Sequence, residues 1–444
     1  MTYNILMVAP TSFFSDYGCH VRILEEIRTL QQAGHEVTVC TYHMGNEVAG
    51  VNIQRSLDVP WHKGVQVGSS RHKLYFDAAL ALKSLQVAFK LKPDIIHAHL
   101  HEGALVGWAT QKMLKLLAGQ RVPLIFDFQG SLTSEMVDHN FLRQDGPLYQ
   151  PTLRLEKMIN GMADRVITSS YNAAEVLRRD FKCPDEKIIT IADRVNAANF
   201  RPHHSQAERE ATARLKQELG IPSERKIIAY LGLLAPYQGT HVLLEAARIL
   251  KDEAPNAHFL IMGYPGVDSY RELANYLGLA DRVTFPGRIP YEDAPRYLAL
   301  GDVAVAPKMS LTEGAGKISN YMAMGLPVVA SDIPVTHEIM GELGCYVEPG
   351  NARDLADKLK VLLDDTALCA NLGRQLRAKA VAEMDWQGAC QQLEQVYALE
   401  LAKVRPGLAQ PKPQAIVTHA ADSAAEIYEG ETQVIATAKS FQAT

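Results

Sequence analysis

Paired cysteines are missing from this chain. Its six cysteines (Cys19, Cys40, Cys183, Cys345, Cys369 and Cys390) are scattered without a CxxC pair, which fits a reducing cytoplasm and predicts small core residues rather than a disulfide framework. Long apolar runs are missing too. No uninterrupted stretch approaches the length of a membrane span, so any meeting with a membrane is expected at its surface. The opening MTYNILMVAPTS has no basic segment ahead of an apolar run and reads as a first β-strand rather than a signal peptide. Positive charge is not in excess either. A formal charge of −5 gives no general attraction to nucleic acid, so no nucleic-acid partner is expected.

What is present is the composition of a soluble globular enzyme, 47% hydrophobic and 21% charged, on a chain too long for one core. Short β-branched runs alternate with helical patterns from the first residues. The reading gives strands at Asn4–Ala9, Glu36–Thr41, Asp94–Ala98, Leu124–Phe128, Arg165–Ser169 and Ile188–Ile191, with a helix near Val21–Ala33. After a charged helical segment, His204–Leu219, the same grammar repeats. Strands are expected at Lys226–Gly232, His258–Gly263, Arg282–Phe285, Val303–Pro307, Pro327–Ala330 and Gly344–Val347. Helices are expected at His241–Glu253, Ser269–Leu277 and Lys317–Met324. Such alternation predicts two doubly wound α/β domains, 1–200 and 201–384, with a ligand cleft at the carboxyl ends of parallel strands. A closing helix is expected over 385–405. From Pro406 onward, prolines and Ala/Ser/Thr-rich sequence predict a flexible tail, 406–444.

The run Glu313-Gly-Ala-Gly-Lys317-Ile-Ser-Asn320-Tyr-Met-Ala-Met-Gly325 joins an acid and a glycine-rich turn to a helix start. Unpaired N–H groups at such a start suit phosphate oxygens, and glycine lets them come close. An ionised Glu313 repels phosphate, so its expected partners are neutral hydroxyls, as on a sugar.

Taken with other pieces in order, this run resembles the GT-B glycosyltransferases of family 4, "glycosyl transferases group 1". Tyr17-Gly-Cys-His20 stands where that family has an N-terminal glycine-rich loop, and Gln32–Val39 resembles its LxxxGHEVTV. Pro93–His99 resembles PDVIHAH, Gly232 to Gly239 stands at GRLxxxKG, Phe200–Pro202 at the domain-linking FxP, and Glu313–Ala330 at EGFGxxxxEAMAxGxPVVA. The resemblance implies a GT-B architecture whose second domain binds a nucleotide-diphosphate sugar as co-substrate and whose first binds a hydroxyl acceptor. It also implies retained anomeric configuration, with no metal and no cofactor. Glu313 would hold sugar hydroxyls, Gly18, Gly232, Gly314, Ala315 and Gly316 would face the donor, and His97, Gln129 and Ser131 would lie on the acceptor side. His99, Glu313 and Asp127 are the expected catalytic groups.

The departures bear on the same site. The family's diphosphate-binding Arg and Lys are replaced by Leu233 and Gln238, and its ribose-binding glutamate by Asn320. Lys317 could supply part of the missing charge. His97 and His99 alternate on a strand and so share a face near its carboxyl end. A neutral imidazole there can orient a hydroxyl or take its proton. With His101 they spell HxHxH, but no later His/Asp cluster is visible to complete a metal shell. Gln129 cannot act as a base, and Asp127 reads foremost as a structural strand-end acid.

Two basic amphipathic stretches, Arg71–Lys92 and Gln111–Arg121, could touch an anionic bilayer, although helices packing on a sheet show the same pattern. The expected location is therefore the cytoplasm, with peripheral membrane contact as an option. Loss of the usual cations also leaves open a non-catalytic sugar-nucleotide or glycan-binding module. A sugar-nucleotide epimerase remains a third reading.

Overall fold

The computed structural model describes residues 2–16, 18–58, 73–311 and 314–405; Tyr17, Arg71, Glu313 and the tail from residue 406 lie outside the described residues. In the first half, β1 (Asn4–Ala9), α1 (Gly18–Gln32), β2 (Glu36–Thr41) and β3 (Asn52–Arg55) are followed by α2 (Lys73–Leu91), β4 (Ile95–His99) and α3 (Leu100–Ala118). Then come β5 (Leu124–Phe128), α4 (Leu132–Asp138), α5 (Tyr149–Asn160), β6 (Arg165–Thr168), α6 (Tyr171–Arg179) and β7 (Ile188–Thr190). The second half runs α7 (Gln206–Glu218), β8 (Lys226–Leu231), α8 (Thr240–Glu253), β9 (Ala257–Met262), α9 (Val267–Tyr276), β10 (Val283–Gly287) and α10 (Ala294–Leu298). It continues with β11 (Val303–Ala306), α11 (Lys317–Ala323), β12 (Val328–Ser331), α12 (Pro334–Met340), β13 (Cys345–Val347), α13 (Ala352–Asp364), α14 (Thr366–Glu383) and α15 (Trp386–Val404).

The strands form two parallel sheets, ordered β3-β2-β1-β4-β5-β6-β7 and β10-β9-β8-β11-β12-β13. Central strands such as Ile95-Ile-His-Ala-His99 and Val303-Ala-Val-Ala306 are buried along their whole length, because helices cover both faces of each sheet. In each sheet the winding reverses beside the first strand of its half, between β1 and β4 and between β8 and β11. A doubly wound sheet opens its ligand crevice at such a point. Residues 191–205, which join the sheets, form no helix or strand apart from a bridge between Val195 and Asp385.

The last helix returns to the first sheet. Leu393, Val396 and Tyr397 of α15 pack in one core with Ile23, Ile27 and Leu30 of α1. Polar contacts hold it there: Tyr397 Oη lies 2.6 Å from His97 Nδ1, Glu394 is 3.1 Å from His35, and Arg165 Nε donates to Glu400 at 2.8 Å. The cysteines depart from expectation, since only Cys40 and Cys390 are buried and the other four are half-buried, all of them free thiols. Among the described residues no helix is long and apolar enough to cross a membrane.

Candidate functional site

The loops after β1, β4, β5 and β8 meet the turn that enters α11 around a cavity of about 330 Å³. Its wall includes Gly18, Gln129 and Ser131 from the first sheet's side, and Gly232, Gln238, Gly314, Ala315, Gly316, Lys317 and Asn320 from the second's. Of the fourteen residues given a site role from sequence, ten therefore converge on one space, and Leu233 and His101 line it too. His97, His99 and Asp127 do not line it, and Glu313 is outside the described residues.

On the second-sheet side, Lys317 opens α11 and turns its ammonium toward β8. Its Nζ donates to Gln238 Oε1 at 2.8 Å and to Tyr230 Oη at 3.3 Å, and stands 4.5 Å from the centre of the Tyr230 ring. A Cβ added at Gly232 would come within 2.6 Å of that Nζ, so glycine makes room for the ammonium beside the cavity. Gly239, with φ +74°, comes so close to the Pro307 carbonyl that a side chain there would overlap it. This brings the start of α8 and the end of β11 together, next to the cavity-lining Gln238.

The glycines of the α11 turn face something the sequence did not reveal. Asp193, from the segment joining the sheets, lies with Oδ2 only 2.6 Å from where a Cβ of Gly314 would sit and 3.2 Å from that of Gly316. Burial raises the Asp193 carboxyl above its ordinary pKa, while Arg22 beside it pulls the other way. Arg22 Nη1 reaches Asp193 Oδ1 at 3.1 Å. Next in sequence, Arg194 lines the cavity and donates to the Glu383 carbonyl.

Behind the first-sheet side lies a buried polar cluster. Arg22 grips both oxygens of Asp127, Nε to Oδ2 at 2.9 Å and Nη2 to Oδ1 at 3.0 Å. His99 Nδ1 lies 3.1 Å from Asp127 Oδ2, and Gln129 Nε2 donates to the same oxygen at 2.8 Å. Burial pushes the Asp127 carboxyl up, but the Arg22 guanidinium and the His99 ring together outweigh it and hold the group well below the usual carboxylate range. Glu26, fully buried, is raised well above its ordinary value by burial and then by Asp127. His97 is pushed well down by burial and by the neighbouring His99.

Two expectations are corrected here. His99 was read as a cleft group, yet it and His97 are wholly buried, their rings stacked with centroids 4.6 Å apart. The side chains of a fully covered parallel strand point into the layers on either side, so a place near the carboxyl end does not by itself reach the cavity. The HxHxH motif also has acids around it after all: Glu26 and Asp127 bring ligand atoms within 4.8 Å of those of His97 and His99. Helix α1 supplies Glu26, from a part of the sequence with no metal-like spacing. Arg22 lies 3.2 Å from Glu26 Oε1 as well as on Asp127, so a cation already occupies the carboxylates' company.

Ser131 and the third histidine belong to a different arrangement. Ser131 caps α4 by accepting from Ser134 N at 3.3 Å and donates to Glu156 Oε2 at 3.2 Å. Glu156 also accepts from Leu132 N at 3.0 Å and Thr133 N at 2.9 Å, and faces His101 Nε2 at 3.4 Å. A buried carboxylate thus satisfies the first N–H groups of the short helix that walls the acceptor side. Lys73 and Glu102, paired at 2.5 Å, complete that wall. Neither was singled out individually in sequence, although Lys73 opens α2 and Glu102 sits in the first turn of α3.

Comparison with known proteins agrees with this geometry. Residues 212–379 match the family model "Glycosyl transferases group 1", and residues 18–198 match "Glycosyltransferase Family 4". A D-inositol 3-phosphate glycosyltransferase from Corynebacterium glutamicum is 26% identical over 86% of this chain and 91% of its own length. The sulfoquinovosyl transferase SQD2 of Arabidopsis thaliana is 25% identical over 86% of this chain and 71% of its own. Among solved structures, sucrose-phosphate synthase from Thermosynechococcus elongatus superposes with a TM-score of 0.74 at 21% identity, covering 90% of this chain and 100% of that one. The HepE protein of Anabaena in complex with UDP-glucose does so with a TM-score of 0.68 at 20% identity, covering 89% and 99%.

Proposed function

The chain is a divergent member of the glycosyltransferases of group 1 and family 4, enzymes that transfer sugar from a nucleotide donor, and on that premise we propose a retaining, metal-independent transfer from a nucleotide-diphosphate sugar to a hydroxyl acceptor. The observation that carries this reading is the Lys317 ammonium, 2.8 Å from Gln238 Oε1 on the cavity wall. In the family pattern a cation stands at the position of Gln238. Here the ammonium comes from α11 instead and reaches the same place, so the donor diphosphate meets positive charge although Leu233 and Gln238 supply none.

In this reading the donor lies across Gly232 and the Gly314-Ala315-Gly316 turn, with Asn320 near the ribose and Glu313 on the sugar hydroxyls. The acceptor oxygen attacks the anomeric carbon on the face from which the diphosphate leaves. The carbon–phosphate oxygen bond breaks with its electron pair on the diphosphate, the new carbon–oxygen bond forms, and the hydroxyl proton passes to the departing phosphate oxygen. No protein base is required for that balance. Gln129 gives an amide N–H to Asp127, which orients its Oε1 to accept from the acceptor hydroxyl. His99, Asp127 and Arg22 are then positioning residues acting through Gln129, in place of the catalytic role first expected of His99 and Asp127. Metal independence is supported by Arg22, whose charge already answers the carboxylates of Glu26 and Asp127.

The test is a panel of nucleotide sugars with hydroxyl acceptors, read by donor consumption and by the anomeric NMR couplings of the product, with and without chelator. Transfer with retained configuration, unchanged by chelator and abolished in Glu313→Ala, is the expected outcome. Donor binding without turnover would instead assign a binding module, and donor interconversion an epimerase. An inverted product or full activity in Glu313→Ala would overturn the mechanism.

A further inference from the structure

Helices α2, α3 and α5 pack in one layer on the first sheet, sharing a core of Phe76, Leu80, Ala104, Leu114 and Ile159. Packing accounts for those apolar residues. It leaves a second apolar set, which points outward. On α2, Leu74, Ala78, Leu82 and Phe89 recur at helical spacing along the exposed face, with Leu74 77% and Leu82 64% exposed. On α3, Leu116 is 76% and Leu117 61% exposed. Nine of the nineteen exposed large apolar side chains among the described residues belong to these three helices, so the exposure is concentrated rather than scattered. Helix α6, which packs in the same core, exposes one large apolar side chain, Tyr171, beside Arg178 and Arg179.

The charges on this face have one sign. Lys90, Lys112, Lys115, Arg154 and Lys157 are exposed beside the leucines, while the acids of the three helices are withdrawn. Asp77 holds Tyr42, Glu102 holds Lys73, and Glu156 is buried under α4. Leucine interspersed with lysine, with no exposed acid on the three helices, matches the two faces of an anionic bilayer surface: acyl chains for the apolar groups and phosphate headgroups for the ammoniums.

We infer that the outer face of α2, α3 and α5 is a docking surface for an anionic lipid bilayer. The first residue of α2, Lys73, and the first turn of α3, Leu100 to Glu102, also line the cavity. Docking through this layer therefore brings the acceptor side of the cavity to the membrane plane.

The test uses the whole chain, without nucleotide sugar, mixed with vesicles of phosphatidylcholine alone or of phosphatidylcholine with phosphatidylglycerol, followed by sedimentation. Binding to the anionic vesicles only, weakened by salt, is expected. Leu82→Gln with Leu116→Gln, and separately Lys112→Glu with Lys115→Glu, should each lower the partition coefficient about tenfold or more, with unchanged thermal melts by circular dichroism. Equal recovery in the supernatant with both vesicles overturns the inference, as does equal binding to both. A lipid-free dimer by light scattering that the leucine pair returns to monomer would show that a second copy covers the face, and would overturn it as well. Because no sugar donor enters the measurement, failure of the transfer reading leaves this result standing.

Discussion

At the scale of single residues the site turns on one displaced cation. If Lys317 stands in for a charge at position 238, Lys317→Met should raise the donor KM roughly tenfold, the worth of one charge-assisted contact at about 1.5 kcal/mol or more. The double variant Lys317→Met with Gln238→Lys should recover most of that loss. Steady-state kinetics decide, and a double variant no better than the single one would detach Lys317 from the diphosphate. Gly239 provides a stability counterpart: alanine there would meet both the positive φ and the Pro307 carbonyl, at a cost of about 2 kcal/mol or more in unfolding free energy, measurable by urea titration.

At the scale of elements, the α4 N-terminus hangs on Glu156. Glu156→Ala removes the acceptor for Leu132 N, Thr133 N and Ser131 Oγ at once, and should destabilise the fold by about 3 kcal/mol because buried donors lose their partner. An unchanged melting temperature would contradict that arrangement. Elements like this one also mark the limit of sequence reading. The buried strands were legible because both faces are covered and the runs are almost wholly apolar, as in Lys226–Leu231 and Ala257–Met262. Strand β3 was not, since Asn52 and Gln54 make its edge polar, and neither were α4 and α12, at seven residues each too short to show a period. In the site, the glycine turns and Lys317 could be read from their motifs. Arg22 and Asp193 could not, because they meet only when α1 and the joining segment are folded over the ends of β5 and β7.

At the scale of the whole molecule, the two halves are tied by hydrogen-bonded pairs that run between them. Asp16 accepts from Arg288 Nε at 3.0 Å and from Tyr291 N at 2.9 Å, and Glu338 of α12 accepts from Tyr171 N at 2.8 Å and Asn172 N at 3.2 Å at the start of α6. Burial raises the Glu338 carboxyl to about 7, against the pull of the two N–H groups. A carboxyl raised on folding favours the native state below its unfolded pKa and loses that advantage as pH climbs through the folded value. The melting temperature of the wild type relative to Glu338→Gln should therefore fall between about pH 5 and pH 8. A difference flat across that window would place the Glu338 titration elsewhere.

The return of α15 has a consequence for synthesis. The first sheet's core is closed by Leu393, Val396 and Tyr397, which are translated after the entire second sheet. On the ribosome the amino-terminal half must wait, its α1 face uncovered, until the carboxyl-terminal half has emerged, so the order of manufacture and the order of completion are reversed.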